Sequence, residues 1–133
     1  MNAKIVLKYS LLSGAFYFAV VSFVHLMGFK VPMFYIYYNV PSTHYQDQII
    51  SFLAFGWAMF FYAVSQNLKM IRALLIAGIV AVLALVNINL SNDFKTIAHV
   101  SELAFWIQTF ILALYAAWLI FFAIKTHNKE TKN

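Results

Sequence analysis

Five side chains in this sequence could do acid–base or metal chemistry away from bulk water: His25, His44, Asp47, His99 and Glu102. Imidazole titrates near neutrality and ligates metals when neutral, and a carboxylate can share a divalent ion with it. His99 and Glu102 are three residues apart, so on a helix they share a face. There they could hold zinc, iron or manganese, with His25 as a third ligand. His25 and His99 could instead be opposed axial ligands of a haem, given a deep apolar slot between helices. Each idea has a plain structural counterpart. His99 and Glu102 could simply start a helix at a membrane surface, where an acidic group favours the dipole. His25 could be a bundle histidine hydrogen-bonded to Ser22, Asn87 or a loop carbonyl. An ionisable group inside a membrane helix is nonetheless a functional candidate by itself.

A second set is polar but uncharged: Ser22, Ser51, Asn87, Gln108 and Thr109, with Tyr38 and Tyr45 on the loop after the first apolar run. Placed by depth, these residues and His25 fall in one leaflet, beneath that loop. Polar groups in hydrocarbon seek partners or water, so the reading is a polar pocket between helices, open outward and covered by the loop. Its candidate ligands are a lipid tail, a quinone, an isoprenoid or another hydrophobic small molecule.

The elements that must position these groups follow from hydropathy. Of 133 residues, 64% are hydrophobic and only 10% charged, with a mean hydropathy of +0.80, outside the range of soluble folds. Four runs free of charge, over residues 9–29, 48–68, 73–92 and 103–124, each reach about 30 Å as helices, the thickness of a hydrocarbon core. The expectation is an all-α, single-domain integral membrane four-helix bundle, followed by a polar tail over 125–133. The first run is too long for a signal-peptide h-region and no small-x-small site ends it, so a retained helix is expected. Between the first two runs, Pro32 and Pro41 break any continuous helix. The aromatic stretch 33–39 between them belongs at the headgroup layer, as an interfacial lid.

Spacing gives each helix a candidate inward stripe: Gly14, Phe18, Ser22 and His25; then Ser51, Ala54, Ala58, Tyr62 and Ser65; and on the last helix His99, Glu102, Trp106, Thr109, Ala113 and Ala116. On the third, Ala73, Ala77 and Ala81 recur every fourth residue, a small-residue stripe that admits another helix closely. Extended through Ala84, it reaches Asn87.

Charge sets the orientation. With the N-terminus in the cytoplasm, seven basic residues (Lys4, Lys8, Lys69, Arg72, Lys125, Lys129, Lys132) lie inside and two (Lys30, Lys95) outside, a positive-inside bias that places both termini in the cytoplasm. A bacterial plasma membrane is the expected location. The basic residues sit at segment ends and build no aromatic-interleaved groove, so nucleic acid is not an expected partner. No cysteine is present, which excludes disulfides, thiolate catalysis and thiolate-ligated metal centres. No nucleophile elbow, P-loop or Gly-rich fingerprint occurs, and no mid-membrane charge, broken helix pair or inverted repeat points to transport.

In hydropathy outline the chain resembles small four-span bacterial membrane proteins, the DoxX-like group among them. The resemblance is one of outline and brings no residue roles. The functional expectation is a non-enzymatic accessory subunit or lipid- or hydrophobic-ligand-binding module, with membrane lipids and other membrane proteins as partners and no resident cofactor. The alternative is a metal- or haem-dependent membrane enzyme using His25, His99 and Glu102.

Overall fold

The computed structural model describes residues 2–37, 40–97 and 102–130, and these are helical apart from short connections. Helix α1 runs Ala3–Met27, capped by Asn2, whose side chain accepts from the Lys4 N–H. It starts at Ala3 rather than at residue 9, because lysine is a good helix former and Lys4 and Lys8 extend the first turns without breaking them. It stops at Gly28, which sits at φ 69°. There the Gly28 and Phe29 N–H groups bond back to the His25 and Val24 carbonyls, a left-handed cap that a residue without a Cβ adopts freely.

Helix α2 is His44–Gln66, beginning ahead of residue 48 because Thr43 and Gln46 form a capping box. A 3-10 turn at Leu68–Met70 leads into α3, Ile71–Leu90. A six-residue helix α4, Asn92–Ile97, precedes α5, Leu103–Glu130. The helix thus takes in residues 125–130, the first part of the stretch expected as a tail. Four helical stretches are long and apolar enough to cross a membrane: Ala3–Met27, His44–Gln66, Leu68–Leu90 and Leu103–Asn128.

The packing is uneven. Helix α1 lies along α2 on one side and against α5 on the other, and α3 leans on α5. Helices α2 and α3, though consecutive, touch little beyond the turn that joins them, so the bundle is parted along that side. Ala3, Leu7, Leu11, Phe61, Val64, Leu74, Leu119 and Phe122 form the main core, at the end where α1 begins and α5 finishes. Above it, Phe18 stacks on Trp57 and Phe61 with ring centroids 5.7 and 5.5 Å apart. The close approach of α1 is made at Gly14, where a Cβ would lie 2.6 Å from the Tyr115 hydroxyl and 2.7 Å from the Phe61 ring. Large apolar side chains such as Phe16, Phe52, Phe55 and Phe110 are exposed on the helices' free faces.

The inward face of α3 differs from the alanine stripe. Leu74 and Asn89 are buried and Gly78, Ala81 and Leu85 half-buried, whereas Ala73, Ala84 and Asn87 are exposed. The described parts of the connection between α1 and α2, residues 28–37 and 40–43, lie at the end where α1 finishes and α2 begins.

Candidate functional site

Polar side chains meet at the lid end. His25, in the last turn of α1, is fully buried. Its Nε2 accepts the Ile36 N–H at 3.0 Å, so the network assigns the proton of the neutral ring to Nδ1. Nδ1 faces Asp47 Oδ1 at 3.5 Å, an electrostatic contact too long to satisfy it as a hydrogen bond. The Tyr35 ring lies flat on the imidazole, centroids 3.9 Å apart, and its hydroxyl donates to Asp47 Oδ1. Ser42 donates to the other carboxylate oxygen at 3.2 Å. One carboxylate at the start of α2 thereby gathers the end of α1 and both limbs of the lid. Burial, with the Asp47 hydrogen bond and charge behind it, raises the Tyr35 pKa above its ordinary value and keeps the hydroxyl a donor.

Further ties carry the lid to the other helices. Tyr37 donates to Asn89 Oδ1 at 3.0 Å, Asn89 Nδ2 donates to Thr109 Oγ1 at 2.9 Å, and Thr109 donates to the Phe105 carbonyl at 2.9 Å. Burial pushes the Tyr37 hydroxyl up to about 12. Tyr17 donates to the Met33 carbonyl at 2.8 Å. Ser51 donates to the Ser22 carbonyl at 2.9 Å, with the two hydroxyls 3.3 Å apart, joining α1 to α2 just below. Met33 and Tyr37 adopt φ 70° and 53°, a left-handed backbone that costs roughly 1–3 kcal/mol at a non-glycine residue unless its surroundings hold it. Both are held by these long-range bonds.

Of the sequence candidates, His25, Ser22, Ser51 and Thr109 face the bundle interior, and Gln108 is half-buried on the wall of two cavities it shares with Tyr17. Asn87 does not join them. It is exposed on α3, and Asn89, two residues on and so on the opposite side of the helix, makes the bonds instead. Tyr45 is 71% exposed in the first turn of α2. Glu102 is exposed just ahead of α5. Tyr38 and His99 lie outside the described residues.

The aromatic lid is not uniformly interfacial: Phe29 and Met33 are exposed, but Tyr35 is buried and Tyr37 turns inward to pack on Phe105 at 5.0 Å. Sequence reasoning missed Tyr35, Tyr37, Ser42 and Asn89 as site residues. The signal was present in the tyrosines, whose hydroxyls find partners when buried.

The arrangement limits the chemistry. Among the described residues no three His, Cys, Asp or Glu side chains come together. His25 could bind a metal or haem iron at Nε2 only by releasing Ile36, and at Nδ1 only in competition with the Asp47-facing proton. The polar groups mostly satisfy one another, so the spaces between helices are apolar. One, about 210 Å³, lies between α1 and α5 beside Tyr17, Gln108 and Tyr115. Another, about 360 Å³, fills the parting between α2 and α3, walled by Ile50, Trp57, Gly78, Ala81, Leu85 and Ala116 and reached from the lid by Ile36. Comparison of the chain with protein-family models, with curated proteins and with solved structures found no match, so the likeness in outline to the DoxX-like group has no family match beside it.

Proposed function

We propose that this chain is a membrane-embedded binding module, not an enzyme, that holds the hydrocarbon chain of a lipid-like molecule in the groove between α2 and α3. The groove carries the reading. Its volume of about 360 Å³ lies within the range of roughly 300–1,000 Å³ typical of small-molecule sites. Its lining is almost wholly aliphatic and aromatic, and Gly78 and Ala81 keep the α3 wall shallow. A bilayer supplies acyl chains on every side, and a flexible hydrocarbon chain suits an apolar groove better than a polar ligand does. The latched lid would fix α1 and α2 in place while α3 stays apart. In this reading both termini are cytoplasmic and the lid faces the other side, as the basic residues favour, with a bacterial plasma membrane as the setting.

The test is to purify the chain in mild detergent and look for a retained lipid-like adduct by native mass spectrometry. Gly78→Leu is the decisive variant, because a Cβ at Gly78 meets nothing within 4 Å and the added side chain fills the groove without displacing backbone. The parent should carry at least one lipid-like adduct more per chain than the variant. Equal numbers of adducts on both would overturn the reading.

A further inference from the structure

The end opposite the lid carries a further hollow, about 600 Å³, and its chemistry is different. Lys4 and Lys8 reach it from α1, Lys69 from the 3-10 turn and Arg72 from α3, while Leu68 and Ile71 form an apolar part of its wall. A bias of lysines toward one membrane face asks only that they lie at that end. It does not ask three separate elements to aim them into one concavity. Among the described residues no carboxylate lines the hollow, and Lys8, Lys69 and Arg72 make no ion pair. Helix α3 continues here from the 3-10 turn, whose Lys69 N–H is capped by Asn67 Oδ1, and the positive end of its dipole lies on this side of the bundle. Guanidinium and ammonium groups around a shared space suit the oxygens of a phosphate. The apolar wall beside them suits the start of an acyl chain, which a soluble phosphate does not have.

We propose that this hollow binds the phosphate headgroup of an anionic lipid at the end of the bundle that carries both termini. The proposal does not depend on what fills the α2–α3 groove. It is tested by titrating the full chain, in neutral detergent, with phosphatidylglycerol or phosphatidylcholine and following bound lipid by native mass spectrometry. The parent should prefer phosphatidylglycerol. The triple variant Lys8→Gln, Lys69→Gln, Arg72→Gln should lose on the order of a hundredfold in that affinity, and Arg72→Gln alone roughly fivefold, since each basic group at an anionic surface contributes about that much. Lys30→Gln with Lys95→Gln, which removes charge from the lid end, should leave it unchanged, and so should Gly78→Leu. Equal binding of the two lipids, or an equal loss in the lid-end variant, would overturn the site. Displacement of the lipid by millimolar inorganic phosphate would overturn the lipid assignment in favour of a soluble anion.

Discussion

At the scale of single residues, Asp47 does more than any other side chain to close the lid. It receives hydrogen bonds from Tyr35 and Ser42 and faces the buried His25. Replacing Asp47 with Ala removes the carboxylate to which both hydroxyls donate and which the imidazole faces, and loss of a buried acceptor costs about 1–3 kcal/mol. Thermal unfolding in detergent should therefore show Asp47→Ala well below the parent, with Tyr35→Phe, which removes the hydroxyl's bonds to Asp47 and Ser42 but keeps the stacked ring, losing less, about 1 kcal/mol. The reverse order would mean that Asp47 is not the hub. Alkali should open the same region. The Tyr37 hydroxyl titrates near 12, against 10.0 in the unfolded chain, and Tyr35 is shifted in the same direction. The fold favours the protonated forms, so their contribution is complete below pH 10 and is lost as pH rises through about 12. A Tyr37→Phe variant should show a shallower fall in unfolding temperature across that window.

At the scale of elements, Gly14 sets how closely α1 meets its neighbours. A methyl group there would strike the Tyr115 hydroxyl and the Phe61 ring at under 3 Å, and overpacking of this kind costs about 1–3 kcal/mol. Gly14→Ala should thus lower the unfolding temperature, whereas Gly56→Ala, where a Cβ meets nothing within 4 Å, should not. The helices themselves were legible as apolar runs, and the stripe Gly14, Phe18, Ser22, His25 of α1 does turn inward. The α3 stripe was misread for a physical reason. Where helices are apolar all round, no polar–apolar contrast separates a packed face from a free one, so alanine spacing alone does not mark the packed side. The small-residue pattern led to Asn87, while the packed line Leu74, Gly78, Ala81, Leu85 led to Asn89. His25 and Asp47 were on the list of candidates as separate residues. Their meeting depends on the path of the lid, which puts Tyr35 over the imidazole, and no periodicity encodes a loop path.

At the scale of the whole molecule, the two ends are chemically opposed: a hydrogen-bonded lid at one, a basic hollow beside the termini at the other. If the basic end lies in the cytoplasm, as the distribution of lysines favours, the two ends face different compartments. The absence of cysteine from the sequence makes this directly measurable, because any introduced thiol is the only one. Tyr45→Cys places a thiol on an exposed position at the lid end, and Met70→Cys places one in the turn at the other end, where the side chain is 43% exposed. In intact cells a membrane-impermeant maleimide should label the Tyr45 variant and spare the Met70 variant, and both should react once the membrane is permeabilised. The opposite pattern would invert the protein, placing the basic hollow on the non-cytoplasmic face and the lid in the cytoplasm. Labelling of both in intact cells would remove the compartment boundary between the two ends and, with it, the spanning arrangement on which the groove's exposure to acyl chains depends.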